Sequence, residues 1–287
     1  MGREWGLALG GGGVYGFAHL GVLEVLEKAG LKPTHVSGTS AGSIVAGLYC
    51  SGISLTRIGQ FGAEALAFEV ARKGELKSLD LLSGLLPGTM LEKAMDVLLK
   101  GRLVRDVSPE LYIEAVDVNS GRLVIFAPQE PAARASQGKT VYETGAKISA
   151  AIRASISIPG LFQPKRLGDM QLVDGGVLDM VPVQSLVNAG VRPIVAVDLG
   201  GYAEKPAEPR NAFSLIWRCF SIQARELTSV TLASRADVVI TPVVEDMDIF
   251  DFDKIKECVR RGGEAAREKL PEIAFALTSP RVPHGNS

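Results

Sequence analysis

The stretch His35-Val36-Ser37-Gly38-Thr39-Ser40-Ala41-Gly42-Ser43-Ile44-Val45 decides how the whole chain is read. A short apolar strand runs into G-x-S-x-G, and a helix of small apolar residues follows, so Ser40 occupies a tight strand-to-helix turn. Gly38 and Gly42 let the backbone double back. Such a turn lifts a serine hydroxyl above the sheet edge, and the following helix directs its first N–H groups and positive dipole end toward developing negative charge. Serine is also among the commonest helix N-caps. The pentapeptide alone therefore leaves two roles open for Ser40, nucleophile and cap.

Upstream, "WGLALG" is a brief apolar run that ends in "GGGGVYG", Gly10 to Gly16, one βα unit before Ser40. If the two strands lie adjacent and parallel, both turns emerge at one carboxyl edge, where open α/β sheets bind ligands. Successive amides of Gly11, Gly12 and Gly13 can then point at an oxyanion. The same loop satisfies G-x-G-x-x-G at Gly11, Gly13 and Gly16, the pattern of a dinucleotide cradle. That second reading lacks a ribose acid, because the next strand ends in "HVSGTS" without a carboxylate.

A serine nucleophile needs a base, and the chain holds three histidines. His19 follows the glycine loop inside the first helix and is expected to pack or bond to backbone. His35 starts its strand at the end opposite the serine, and His284 lies in the tail. An α/β-hydrolase also places several strands ahead of its nucleophile elbow, whereas one βα unit precedes this one. Asp174, in Val173-Asp174-Gly175-Gly176, ends an apolar strand beside two glycines that permit close backbone approach. Desolvated and hydrogen-bonded to Ser40, it would accept the proton in the transition state. Asp-Gly-Gly equally suits an Asx-turn.

The rest of the pattern is α/β. Phe17 to Leu26 form one helical stripe stopped by Gly30, and "SAGSIVAGLYCSG" is a buried helix. Residues 53–105 read as mainly helical, broken by "LKSLDLLSGLLPGTML" at Leu76 to Leu91, a covering loop. "LYIEAVDVNSGRLVIFAP" alternates around Asn119-Ser120-Gly121 and reads as a hairpin. A helix over Tyr142 to Ala154, the aspartate strand, a helix over Val183 to Ala189 and the strand "PIVAVDLG" follow. Tyr202 to Asn211 read as a linker, then come a helix over Phe213 to Ser234, the strand "DVVITPV" and a last helix over residues 252–270. The expected architecture is a mainly parallel central sheet with helices on both faces and an added antiparallel hairpin. We expect one domain over residues 1–287, with a core at about 5–200 and a C-terminal extension at about 211–275.

Composition narrows the functional classes. With 31 basic and 32 acidic residues the net charge is -1, which offers no electrostatic footprint for nucleic acid. Cys50, Cys219 and Cys258 form neither a C-x-x-C nor an even set, so no disulfide framework or zinc site is expected and all three read as reduced core residues. The run "EDMDIFDFD" lacks the glycine and terminal glutamate of an EF-hand loop. No apolar run approaches a membrane span of roughly 20 residues, and no secretory signal opens the chain. The expectation is a soluble, cytoplasmic protein without metal or cofactor. A mean hydropathy of +0.19 fits strands covered on both faces.

Taken together, Gly11-Gly12-Gly13-Val14-Tyr15-Gly16, Gly38-Thr39-Ser40-Ala41-Gly42 and Asp174-Gly175-Gly176 resemble the patatin-like phospholipases, specifically their small bacterial members. Ala154-Ser155-Ile156-Ser157-Ile158-Pro159-Gly160-Leu161-Phe162 is similar to that family's segment leading into the aspartate strand. The resemblance covers roughly Leu7 to Leu199. It implies an acyl hydrolase of lipid esters in which Ser40 attacks the carbonyl, Asp174 is base then acid, and the loop amides of Gly11, Gly12, Gly13 and Val14 hold the oxyanion. It requires no histidine, metal or cofactor, and it names a lipid or ester as partner, with transient contact at a membrane surface through the leucine-rich segment set against simple burial of those leucines.

Two positions depart from the family pattern. Tyr15 stands where arginine or lysine is common, which keeps a second reading, a regulatory protein that retains the fold without useful turnover. Met180 stands where asparagine is usual after Asp179, and methionine lacks the amide's hydrogen bonds.

Overall fold

The computed structural model describes residues 3–64, 86–131, 138–200, 212–243 and 254–279. In chain order these form β1 (Gly6–Leu9), α1 (Ala18–Lys28), β2 (His35–Thr39), α2 (Ala41–Cys50), α3 (Thr89–Leu99), β3 (Glu110–Asp117), β4 (Arg122–Phe126), β5 (Thr140–Glu143), α4 (Ile148–Ser155), β6 (Lys165–Leu167), β7 (Met170–Asp174), α5 (Val183–Asn188), β8 (Ile194–Val197), α6 (Ala212–Arg235), β9 (Val238–Ile240) and α7 (Ile255–Thr278). Residues 55–64 are also helical.

β1 lies at the heart of the sheet, parallel to β2 on one side and to β8 on the other. β3 continues the parallel array beyond β2, and β9 beyond β8. β4 turns back antiparallel against β3, and β5 adds a parallel strand to its far edge. β6 and β7 form an antiparallel pair, with β7 also bonded to β3. The mainly parallel α/β sheet expected from the pattern is present, with its hairpin.

The strands separate two apolar layers because alternate side chains point to opposite faces. Leu7, Leu9, Leu111, Ile113, Val195 and Val197 face the larger core, toward α1, α2, α3, α4 and α7. Ala8, Tyr112, Ile194 and Ala196 face the smaller one, under α5 and the Leu232 end of α6. Most of these side chains are fully buried, and each buried leucine, isoleucine or valine stabilises the fold by about 1.5–3 kcal/mol.

α1 and α7 cross with backbone against backbone. A Cβ at Gly21 would lie 1.9 Å from the Val259 carbonyl oxygen, and one at Gly262 would lie 2.0 Å from that of Ala18. Only glycine fits at either place.

Several local expectations differ from the structure. Tyr142 lies on β5 rather than in a helix, because Val141 and Tyr142 pair with the open edge of β4, where Leu123 N–H reaches the Lys139 carbonyl and Ala127 N–H that of Glu143. The helix begins at Ile148. α7 continues through Pro271 to Thr278, since Ala266 and Ile273 remain on its buried face and the Arg3 guanidinium caps the Leu277 and Ser279 carbonyls. Cys50 and Cys258 are buried, whereas Cys219 is exposed on α6. The linker at 202–211, most of the leucine-rich segment, the acidic run and the tail with His284 lie outside the described residues. Among the described residues, no helix is long and apolar enough to cross a membrane.

Candidate functional site

The site is set by an unusual use of one strand edge. β2 pairs with β3 over Glu110 to Glu114, while β7 pairs with it over Ala115 to Asp117. β4 already occupies the opposite edge over Ile113 to Asp117, so β2 and β7 share the remaining one. They run toward each other and meet end to end. Thr39 lies opposite Glu114 and Asp174 opposite Ala115, one residue step of roughly 3.3 Å along β3. The chain after Thr39 and the last residue of β7 are thereby forced together.

Ser40 turns sharply at that junction, with φ 52° and ψ -125°. A non-glycine residue in such a conformation costs of order 1–3 kcal/mol and persists only where its surroundings hold it. Here they do. The Ser40 N–H donates to Ser155 Oγ at 2.9 Å, and its carbonyl accepts from Ser43 N–H at 2.9 Å and Ser43 Oγ at 2.6 Å. A Cβ on Gly42 would meet the Leu9 carbonyl oxygen at 2.1 Å, and one on Gly38 would meet that of Gly42 at 2.6 Å. The flanking glycines thus allow β1, β2 and α2 to approach within backbone contact. Although Ser40 occupies the N-cap position of α2, its side chain makes no capping bond. The hydroxyl instead lies beside Asp174, close enough to favour its charged form.

Asp174 is 6 % exposed. Its Oδ1 accepts the Gly176 N–H at 2.8 Å, the Asx-turn anticipated for Asp-Gly-Gly, and its own N–H donates to the Ser157 carbonyl at 3.0 Å. Burial pushes the carboxyl up to about 6, opposed by the nearby Ser40 hydroxyl and the Gly176 amide. A carboxylate titrating there is a better proton acceptor at neutral pH than one in water.

The glycine loop closes over Ser40, and a Cβ on Gly11 would lie 3.1 Å from Ser40 Cβ. One expected donor is corrected. The Gly11 N–H is committed to the Met180 carbonyl at 2.9 Å, so it cannot also serve an oxyanion. Gly12 donates to no backbone carbonyl among the described residues, and Gly13 and Val14 open a short 3-10 turn, Gly13–Phe17, where the first amides have no intrahelical acceptor. Gly13 has φ 57° and is exposed. Tyr15, the departure from the basic residue, is buried in the core at 2 % exposure. Met180 packs its sulfur 2.7 Å from where a Gly11 Cβ would stand and 3.1 Å from that of Gly176, filling the space between the loop and the aspartate turn.

His19 and His35 lie where the sequence suggests. His19 Nε2 shares a hydrogen with the Gly10 carbonyl at 2.8 Å, and burial pushes it down to about 4, so the ring is neutral. His35 begins β2, beside Glu110 and stacked on Tyr112, at the far end of the strand from Ser40.

The structure adds residues that spacing alone did not single out. Ser155 and Ser157 were visible only as part of a motif, yet one receives the Ser40 amide and the other's carbonyl receives that of Asp174. Buried Arg153 donates to Ser157 Oγ at 2.5 Å and to the Pro87 and Gln163 carbonyls at 2.8 Å, tying this segment to residues 86–88. Glu114 is fully buried beneath the aspartate turn, where a Cβ on Gly175 would touch its carbonyl oxygen at 2.5 Å. Among the described residues, neither carboxyl oxygen of Glu114 has a hydrogen-bond partner of normal geometry, because nearby Ser185 directs its hydroxyl to the Pro182 carbonyl. Burial, with Asp179 as a second acid nearby, raises the Glu114 carboxyl well above the ordinary range. Burial raises Asp179 as well, against the Arg235 charge and the amides of Gln184 and Val181.

Among the described residues, no cluster of histidine, cysteine and carboxylate is arranged to hold a metal. A cavity of about 1230 Å³ opens at the opposite edge of the sheet, around Thr34, Tyr49 and Pro109, away from Ser40. A smaller apolar one of about 100 Å³ borders the glycine loop and Ala41.

Comparison with known proteins gives a consistent picture. A family model described as patatin-like phospholipase matches residues 7–187. Over 201 residues, 70 % of this chain, the sequence is 30 % identical to an uncharacterised NTE family protein of Mycobacterium tuberculosis, covering 50 % of that protein. It is 26 % identical over 317 aligned positions to lysophospholipase NTE1 of Debaryomyces hansenii, an alignment that takes in 98 % of this chain and 19 % of the relative. The chain thus spans about half the length, or less, of these curated relatives. The crystal structure of VipD from Legionella pneumophila shares the fold, with a TM-score of 0.51 at 16 % identity, covering 94 % of this chain and 67 % of that one.

Proposed function

The chain belongs to the patatin-like phospholipase family, and from that premise we propose that it is a serine hydrolase of carboxylic esters in lipids, with Ser40 as nucleophile and Asp174 as base and then acid. One observation carries the proposal: the Ser40 hydroxyl lies beside a buried carboxyl that burial has raised to about 6, and the glycine-loop amides of Gly12, Gly13 and Val14 donate to no backbone carbonyl among the described residues. The lysophospholipase activity named for one relative supports a lipid ester as substrate.

In the first half-reaction Ser40 Oγ attacks the ester carbonyl carbon while Asp174 takes the hydroxyl proton. The carbonyl π electrons move to oxygen, and the amides of Gly12, Gly13 and Val14 hold the resulting oxyanion. Removing one such donor in other hydrolases slows turnover by about 10²–10³. As the intermediate collapses, the bond to the alkoxide breaks and Asp174 returns the proton to the leaving oxygen. Water then attacks the acyl-Ser40 ester, with Asp174 again accepting and returning a proton, and the carboxylic acid leaves. Met180 and Ser155 position the machinery without touching substrate, the first by binding Gly11 and the second by binding Ser40 N–H.

Labelling by a fluorophosphonate probe tests this reading. Expected are stoichiometric labelling of the wild-type chain, none of Ser40→Ala, and a strongly reduced rate in Asp174→Asn. Equal labelling of Ser40→Ala would overturn it.

A further inference from the structure

The reacting groups account for the ester carbonyl but not for the rest of the substrate. Between α1, α2 and the helical residues 55–64 lies the apolar cavity of about 100 Å³ noted above, and every side chain on its walls is apolar. Three wall residues are also chain neighbours of the chemistry. Ala41 follows Ser40, and Gly13 and Val14 carry two of the proposed oxyanion amides. Its other walls include Phe17, Ile44 and Gly62, all only partly buried, and Gly13, at the glycine-loop end, is exposed. An unfilled apolar space in a core is destabilising. One walled by the chain neighbours of a proposed nucleophile is suited to a ligand.

We propose that this cavity binds the acyl chain of the substrate, and that its depth limits the preferred chain to about four carbons, on the scale of a roughly 150 Å³ apolar cavity that takes a benzene ring. The proposal rests on the hydrolase reading of Ser40. The absence of any polar side chain on the walls disfavours a charged or hydroxylated headgroup in this space, and a chain leaving the carbonyl past Gly13 and Ala41 would run along two of its wall residues. Phe17 and Gly62 set the limit. A Cβ at Gly62 would stand 3.0 and 3.1 Å from two atoms of the Phe17 ring, so the ring lies against bare helix backbone. A side chain at 62 closes the cavity, and loss of the ring at 17 lengthens it.

The test is hydrolysis of p-nitrophenyl esters from acetate to decanoate by the whole chain, with Ser40→Ala as blank and the melting of each variant recorded. The wild type is expected to gain roughly fourfold in kcat/KM per methylene up to butyrate, and then to lose at least tenfold by octanoate. Phe17→Ala, with Phe17→Leu as a milder enlargement, is expected to move the maximum to six to eight carbons, and Gly62→Val to move it to acetate. A wild-type maximum at decanoate would overturn the proposal, as would an unmoved maximum in folded, Ser40-dependent variants at both positions. Absence of Ser40-dependent turnover of every ester, with no probe labelling, would instead overturn the hydrolase reading and this proposal with it.

Discussion

Asp174, the last residue of β7, lies beside Ser40 where β7 and β2 meet end to end on one edge of β3. The two residues are 134 positions apart in sequence, by subtraction of their numbers, and their contact depends on β3 being long enough to hold both strands. The proposed proton acceptor is thus mounted on the sheet rather than on a loop.

This arrangement predicts an acid limb. Asp174 must be ionised to act as base, and burial has raised it to about 6. In a plot of kcat/KM against pH, activity should therefore rise through about pH 6 instead of near 4. His19, pushed down to about 4 and bonded to Gly10, contributes nothing to that limb. The linkage also has a stability side. Because the folded carboxyl is raised, its contribution is complete below about pH 4 and is lost as pH rises through about 6. Asp174→Asn should accordingly gain stability over wild type across that window, read by denaturant melts at pH 4 and pH 7.

Backbone strain at Ser40 should be measurable. With φ 52° and ψ -125°, the residue occupies a region that glycine enters at little cost. Ser40→Gly is expected to exceed Ser40→Ala in stability by about 1 kcal/mol, although both abolish turnover. Equal urea midpoints would show that the turn is relaxed.

Gly42 and Gly30 should respond differently to alanine. At Gly42 the added Cβ would lie 2.1 Å from the Leu9 carbonyl, so α2 must move off β1, at a cost of about 3 kcal/mol or more. Gly30 has φ 73° but open space around it, so alanine there costs about 1 kcal/mol of conformational strain. Esterase activity should fall in the first variant and persist in the second.

Glu114 is expected to weaken the fold. Its folded carboxyl is raised by burial, so the stability it allows below about pH 4 is progressively lost as pH rises toward its folded value. Glu114→Gln removes the proton linkage at nearly constant volume. It should leave stability little changed at pH 4.5 and raise it by about 1 kcal/mol or more at pH 8. A constant difference between the two pH values would show that Glu114 is not held neutral.

Much of this architecture is legible in the sequence because it is local. Gly38 to Gly42 and Gly10 to Gly16 announce their turns by composition, and the alternation around Asn119-Ser120-Gly121 announces the hairpin. What escapes is whatever depends on a distant partner. That Val141 and Tyr142 pair with β4 depends on an open strand edge, which a helical period does not reveal. The loss of Gly11 as a donor comes from the Met180 carbonyl, 169 positions away by the same subtraction. Glu114 looks like the polar half of an alternating strand, yet the sheet is covered on both faces and buries it. Pro271 is an ordinary stop signal in isolation, overridden here by the apolar face that continues beyond it and by Arg3 at the far end.

α7 lies wholly beyond the residues 7–187 matched by the family model, yet it is seated against α1 through Gly21 and Gly262 with no side chain between them. The first helix after the glycine loop is therefore braced by the most distal one. A chain shortened after residue 200 would keep every atom proposed to touch an ester and still lose the buttress behind them, so the smallest competent unit is expected to extend past residue 187, where the family model ends.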